Sequence, residues 1–414
     1  MPLPEVPQDR TMRQDPEHQQ WLRAEVARQV DFFRPSLQTD GSFAVLDFAG
    51  VPLTGSLQEL HTTTRLVHSF ALAKAAGLPD CDPVICAGMD FLWNRHRDAE
   101  HGGYVWSVDA AGVADGTKLA YGHVFVLLAA ASAKVAGHPD ADRLIADVSA
   151  LIDRHYWDEE AGLLRDEFTR DWQPFSTYRG MNANMHGIEA MLTAYETTGS
   201  AIYLTRARRI LDFFTGRIAP RYGFRLPEHY TADWQVDADY QGNPMFRPRG
   251  TTPGHSFELG RLLLQWWDLA GRPESDAPEI ARRLIETALA DAWVPGAWPA
   301  AGGFVYTLEL DGAVSVSDRY WWPVSEAIGA MAALQNHAAQ PQDEEWYRRL
   351  WAFADLALID HARGGWFPEL DADGKPDARQ FAGKPDIYHS VQAALLSQVG
   401  CLSRLPASLR AARA

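Results

Sequence analysis

Six stretches of the chain read as helices that are apolar on nearly every side, yet each carries a polar residue close to its start. They are segments 63–72, 121–128, 182–191, 253–267, 321–330 and 388–396, with Arg65, His123, His186, His255, Glu326 and His389 as polar anchors. Successive anchors lie 58, 63, 69, 71 and 63 residues apart. A helix apolar all round must be buried. An interval of this length holds one buried helix, one amphipathic return helix and their loops, so the spacing predicts one helical hairpin per interval.

The fourth stretch shows the pattern most plainly. Thr251 or Thr252 can cap the helix, and Pro253 suits its first turn. His255, Glu258 and Arg261 recur at three-residue spacing and share a face. A buried helix with His and Glu near its start either satisfies a polar network or carries out chemistry.

Between these stretches the return helices are amphipathic. They are expected at 18–33, 81–93, 139–157, 201–217, 277–293 and 343–360. Short strands after Gly-rich turns are expected near 102–109, 161–167, 302–308 and 364–370, closed by Asp109–Gly112, Asp311-Gly312 and Asp371-Ala372-Asp373-Gly374. Residues 43–53 read as a hairpin and residues 1–15 as a tail lying on the surface. Segment 218–250 has no helical period and is rich in Pro, Gly, Tyr and charge, which suits a lid or pocket wall. Together these features predict an all-α fold, a closed (α/α)6 barrel of six helical hairpins with short β-hairpins in the loops. It would form one catalytic domain over residues 1–414, with the polar anchors gathered at one mouth.

Composition limits the partners. A net charge of −16 disfavours nucleic acid and anionic membranes. No apolar run approaches the length of a membrane span, and residues 1–5 show no basic-then-apolar leader. Cys81, Cys86 and Cys401 have no metal-binding spacing, and so sparse a set suggests a reducing compartment. A cytoplasmic protein is the expectation, either monomer or homodimer. The 15 Trp, 13 Tyr and 18 Phe hint at sugar stacking, although helical repeats also pack with aromatics.

The residues expected at the mouth are Arg65, Tyr121, His123, Asn182, Asn184, His186, Arg247, His255, Glu258, Trp321, Trp322, Glu326, Asp386 and His389. Any one histidine could be a satisfied core group, but four at equivalent repeat positions suit acid–base work near neutral pH. A metal site is the sharpest alternative. It lacks HxH or HxxxH pairs, and no tight carboxylate cluster is evident in the sequence. A glycosidase using Glu258 and Glu326 as paired carboxylates is the next alternative. No nucleophile elbow supports a Ser or Cys enzyme.

The motifs 100–109 (EHGGYVWSVD), 118–123 (KLAYGH), 182–186 (NANMH), 247–255 (RPRGTTPGH) and 384–389 (KPDIYH) resemble those of the N-acylglucosamine 2-epimerase superfamily. More narrowly they resemble its aldose–ketose isomerase branch, the mannose and sulfoquinovose isomerases. The likeness covers about residues 21–400. It implies sugar isomerisation or epimerisation through a cis-enediol, with neither metal nor redox cofactor. It makes His255 and His389 the acid–base pair and His186 a sugar contact. It makes Arg65, Tyr121, Arg247 and Glu258 substrate-holding or histidine-orienting groups, with Glu258 supporting His255 one turn away. Asn182, Trp321, Glu326 and Asp386 are expected to complete the monosaccharide site. The resulting expectation is interconversion of D-mannose and D-fructose, with D-lyxose and D-xylulose as a side reaction. Sulfoquinovose isomerisation, 2-epimerisation and a non-catalytic sugar-binding barrel are the alternatives.

Overall fold

The computed structural model describes residues 2–413 except 56, 244, 296–301 and 372. Ala372, part of the last expected turn, lies outside the described residues. Thirteen helices run through the described chain. They are α1 (Pro16–Phe33), α2 (Leu60–Ala75), α3 (Asp82–Phe91), α4 (Ala120–Val135), α5 (Ala141–Leu151), α6 (Met181–Thr198), α7 (Ala201–Leu211), α8 (Pro253–Leu269), α9 (Ala277–Ala292), α10 (Trp321–Ala338), α11 (Pro341–Phe353), α12 (Tyr388–Ser397) and α13 (Leu405–Ala411).

The even-numbered helices α2 to α12 form the inner ring. Each packs on the next, and α12 returns to α2 to close the circle. They are buried almost throughout, which their composition dictates: runs such as Val124 to Ala131 leave no face for water. The outer ring is α1, α3, α5, α7, α9 and α11. These helices show a single buried stripe, such as Ala281, Leu284, Ile285, Ala288 and Leu289 on α9. The expected (α/α)6 barrel is therefore the observed fold. Four outer helices end in a widened π turn, at Leu92–His96, Ile152–Tyr156, Asp212–Ile218 and Ala354–Leu358.

The hairpin strands have a role that sequence periodicity did not show. Residues just before one inner helix pair antiparallel with the loop before the next. Glu59 faces Ser107, Leu119 faces Glu167, Gly180 faces His229, Thr251 faces Leu308 and Tyr320 faces Glu369. These short ladders form a girdle around the mouth and fix where each inner helix begins. Residues 2–15 lie against the far side of the barrel, where Arg13 donates to Gln335 Oε1 and to the Val399 carbonyl, both at 2.9 Å.

Two Gly-Gly turns in the girdle are built alike. Asp98 and Asp360 each open a turn that closes on two glycines with positive φ, Gly102-Gly103 and Gly364-Gly365. A lysine from a later loop is buried against each aspartate. Lys118 Nζ stands 3.1 Å from Asp98 Oδ2, and Lys384 Nζ stands 2.8 Å from Asp360 Oδ2. Lys118 and Asp98 have side chains 0% exposed, so removing one partner strands a charge away from water. Asp98→Ala is expected to cost about 3–5 kcal/mol, read as a lowered urea midpoint against the wild-type chain.

Candidate active site

At the girdled end of the barrel lies a cavity of about 270 Å³. Every inner helix contributes to it near its N-terminus: His61 and Arg65 from α2, Tyr121 from α4, Asn182 and His186 from α6, His255 from α8, Trp321 and Trp322 from α10, and His389 from α12. Asp386 precedes α12, and Arg247 comes from the irregular segment before α8. That segment also supplies Glu228, His229, Met245, Phe246 and Pro248, so 218–250 does form a pocket wall.

His255 and His389 reach the cavity from different helices and pack on the same indole. Their ring centroids lie 5.1 and 5.7 Å from that of Trp322. Each imidazole is held through Nδ1 by a buried carboxylate. His389 Nδ1 is 2.7 Å from Glu326 Oε1, and His255 Nδ1 is 2.7 Å from Glu228 Oε1. A carboxylate there fixes Nδ1 as the protonated nitrogen and leaves Nε2 for a ligand. Arg65 donates to Asp386 Oδ2 and to the Tyr121 hydroxyl, both at 2.8 Å, while its guanidinium lies over the Phe125 and Tyr388 rings.

Four expectations need correction. The support for His255 is Glu228, whereas Glu258 lies deeper in the bore. Glu258 is 3.5 Å from His186 Nδ1 and 3.9 Å from Arg261, and neither of its oxygens finds a hydrogen bond among the described residues. Glu258 and Glu326 do not line the cavity, so they do not form a pair flanking a sugar linkage. His123 and Asn184 leave the site altogether. His123 Nε2 accepts the Tyr104 N–H at 3.1 Å, and Asn184 Oδ1 accepts the Leu164 N–H at 2.7 Å. Helical phase explains both. Tyr121 and Phe125, Asn182 and His186, and His61 and Arg65 are four-residue pairs facing the bore, and a residue two places on from the first turns about 200° away. Finally, a tight acidic cluster does exist. The ligand atoms of His186, Glu189 and Glu258, and those of Glu258, Glu326 and His389, lie within 4.8 Å of one another. Those groups are where a divalent ion could be held, and Arg261 already stands 3.5 Å from Glu326 as a competing cation.

Burial governs the charges here. Burial and the neighbouring Glu326 and Glu189 push Glu258 well above the usual carboxylate range, so its charged form is disfavoured. Burial also opposes ionisation of Glu326, but the His389 hydrogen bond and Arg261 outweigh it and hold Glu326 low. His186 is pushed down to about 4 by burial and is neutral near pH 7. Asp166, Tyr178, His61 and Phe381 also line the cavity and were not expected. His61 had a usable signal, standing four residues before Arg65 on the same face.

A barrel whose mouth gathers aromatic rings, an arginine and two carboxylate-held imidazoles around a sugar-sized cavity defines an α/α-barrel carbohydrate enzyme. Residues 41–393 match the N-acylglucosamine 2-epimerase (GlcNAc 2-epimerase) family, and the chain belongs to that family. D-mannose isomerase of Thermobifida fusca is 41% identical over 92% of this chain and 94% of its own. D-mannose isomerase of Pseudomonas cannabina pv. alisalensis is 39% identical over 92% of each. A crystal structure of D-mannose isomerase superposes with TM-score 0.85 at 30% identity, covering 91% of this chain and 97% of that one. Cellobiose 2-epimerase from Spirochaeta thermophila DSM 6192 shares the fold, with TM-score 0.79 at 22% identity.

Two substitutions separate the carboxylates. Glu228→Ala should lower kcat about 10–100-fold by freeing the His255 ring. Glu258→Gln keeps the shape of a side chain whose charged form burial disfavours, and it should keep kcat within several-fold of wild type. Steady-state kinetics on both variants checks the contrast.

Proposed function

We propose that the chain is an aldose–ketose isomerase that interconverts D-mannose and D-fructose through a cis-enediolate, with D-lyxose and D-xylulose as a side reaction. The observation that carries this reading is the pair of carboxylate-held imidazoles sharing one cavity. Its family membership and the curated D-mannose isomerases among its relatives support the same substrate class.

The chemistry follows from the groups present. The sugar opens to its aldehyde, with His255 Nε2 moving the ring-oxygen and hydroxyl protons. His389 Nε2 then takes the C2 proton, which exchanges with solvent on the imidazolium, and delivers a proton to C1 on the same face. Glu326 steadies the imidazolium that forms. Charge growing on the enediolate oxygens is met by Arg65, whose guanidinium is fixed in place before reaction. Such a pre-set donor needs no reorganisation as the charge develops. No metal or redox cofactor is required by this scheme.

The charge arrangement favours a neutral sugar over sulfoquinovose. Each cation that could clamp a sulfonate is already paired: Arg65 with Asp386, Arg247 with Glu167, Arg249 with Glu309 and Lys384 with Asp360. Recruiting one would break an existing ion pair. The second reading is 2-epimerisation, favoured by the presence of a second supported imidazole.

Incubation with D-mannose in deuterated water, followed by NMR, should yield D-fructose with deuterium at C1. Glucose as the main product would favour epimerisation, and binding without turnover would favour a sugar-binding barrel. His255→Ala and His389→Ala should each reduce kcat by about 10²–10⁴-fold. Near-normal turnover in both variants would refute the acid–base assignment. Activity should also survive exhaustive chelation; loss restored by added metal would assign a role to the buried acidic cluster.

A further inference from the structure

We propose that Asp166 is the acceptor for one sugar hydroxyl outside the reacting C1–C2 pair, and therefore a specificity-determining residue. This deepens the isomerase reading and rests on it. Asp166 lines the same cavity as the two imidazoles, although it is 94% buried by its 6% exposure. One of its oxygens is committed, since Oδ2 accepts the Gly180 N–H at 2.9 Å, just before α6 begins. The other, Oδ1, accepts no hydrogen bond from any described residue. A carboxylate oxygen without a donor in a largely buried residue gains from a hydrogen bond, and the cavity that Asp166 lines is where a ligand hydroxyl can supply one.

Two neighbouring side chains are committed to other partners. His229 Nε2 donates to the Pro248 carbonyl at 2.6 Å, so its Nδ1 accepts from the Tyr178 hydroxyl at 3.1 Å. Arg247 presents its fork to Glu167 at 2.6 Å and lies over the Tyr178 ring. A sugar hydroxyl is a donor of suitable size, and Asn182 Oδ1 is a second unpartnered acceptor on the same wall. A site built to hydrogen-bond a hydroxyl discriminates strongly against the analogue that lacks it.

The same carboxyl links binding to pH. Burial pushes Asp166 up to about 7, with Glu167 adding to the rise and Arg247, Gly180 N–H and Arg179 opposing it. Tyr178 and Tyr156 are the other titratable groups that face it. The raised value means that the acceptor form is present above about pH 7 and is lost as the pH falls through it.

The test compares wild type, Asp166→Asn and Asp166→Ala on D-mannose and on its 3-, 4- and 6-deoxy analogues. In Asp166→Asn the amide oxygen keeps the Gly180 N–H, so the NH2 group faces the cavity and replaces an acceptor by a donor. KM for mannose should rise about tenfold or more in both variants, with kcat within a few-fold and the thermal midpoint of Asp166→Asn unchanged. One deoxy analogue should be poor on wild type yet suffer no further loss in Asp166→Ala. Wild-type KM should also rise as the pH is lowered through about 7, and this rise should be absent from Asp166→Asn. Unchanged KM in both variants, or independent penalties for all three analogues, overturns the assignment. Should Asp166→Ala fail to fold, Asp166→Asn with the same analogues decides, an unchanged KM for mannose counting against the assignment. Wild type that turns over no sugar removes the functional reading and this assignment together; active wild type with unshifted variants removes this assignment only.

Discussion

The site depends on one buried guanidinium. Arg261 lies in the bore behind the cavity, 3.5 Å from Glu326 and 3.9 Å from Glu258, and it also helps to hold Glu189 ionised. Three carboxylates this close cannot all ionise away from water. Arg261 favours the charged forms of Glu326 and Glu189, while burial and its acidic neighbours disfavour the charged form of Glu258. Glu326 can then hold His389, while Glu189 lies 3.7 Å from His186 Nδ1. Truncating Arg261 would remove the cation nearest the acids and weaken the carboxylate that holds His389.

The barrel was legible because burial leaves a periodic trace. Inner helices such as α4 are apolar on all sides, and outer helices such as α9 are apolar on one, so repeat and layer could both be read from sequence. Ten of the fourteen residues expected at the mouth line the cavity, including both imidazoles, because inner-helix starts must converge where the barrel opens. The anchors themselves were read less well. Counting intervals put His123 in line with Arg65 and His186, but an interval does not carry rotational phase. Tyr121 is the residue in phase, and His123 faces outward to hold the Gly-Gly turn.

The partner of His255 illustrates a different limit. Glu228 belongs to an irregular stretch with no periodicity to follow, and its position depends on pairing across the girdle. Its N–H bonds the Gly250 carbonyl and its carbonyl takes the Met181 N–H, so one loop residue is tied both to the approach to α8 and to the start of α6. Glu258, three residues from His255 on one helix, was the natural local choice. Local spacing favoured it, and tertiary pairing supplied a better-placed carboxylate.

The seam of the barrel has a consequence for how the protein comes into being. The outer helix that backs α12 is α1, from the opposite end of the chain. The ring therefore cannot shut by sequential addition of hairpins as the ribosome delivers them. Its first helix waits, with its apolar stripe uncovered, until nearly the whole polypeptide has emerged. His389 sits on that final inner helix, so the cavity has its full lining only once the last hairpin is in place.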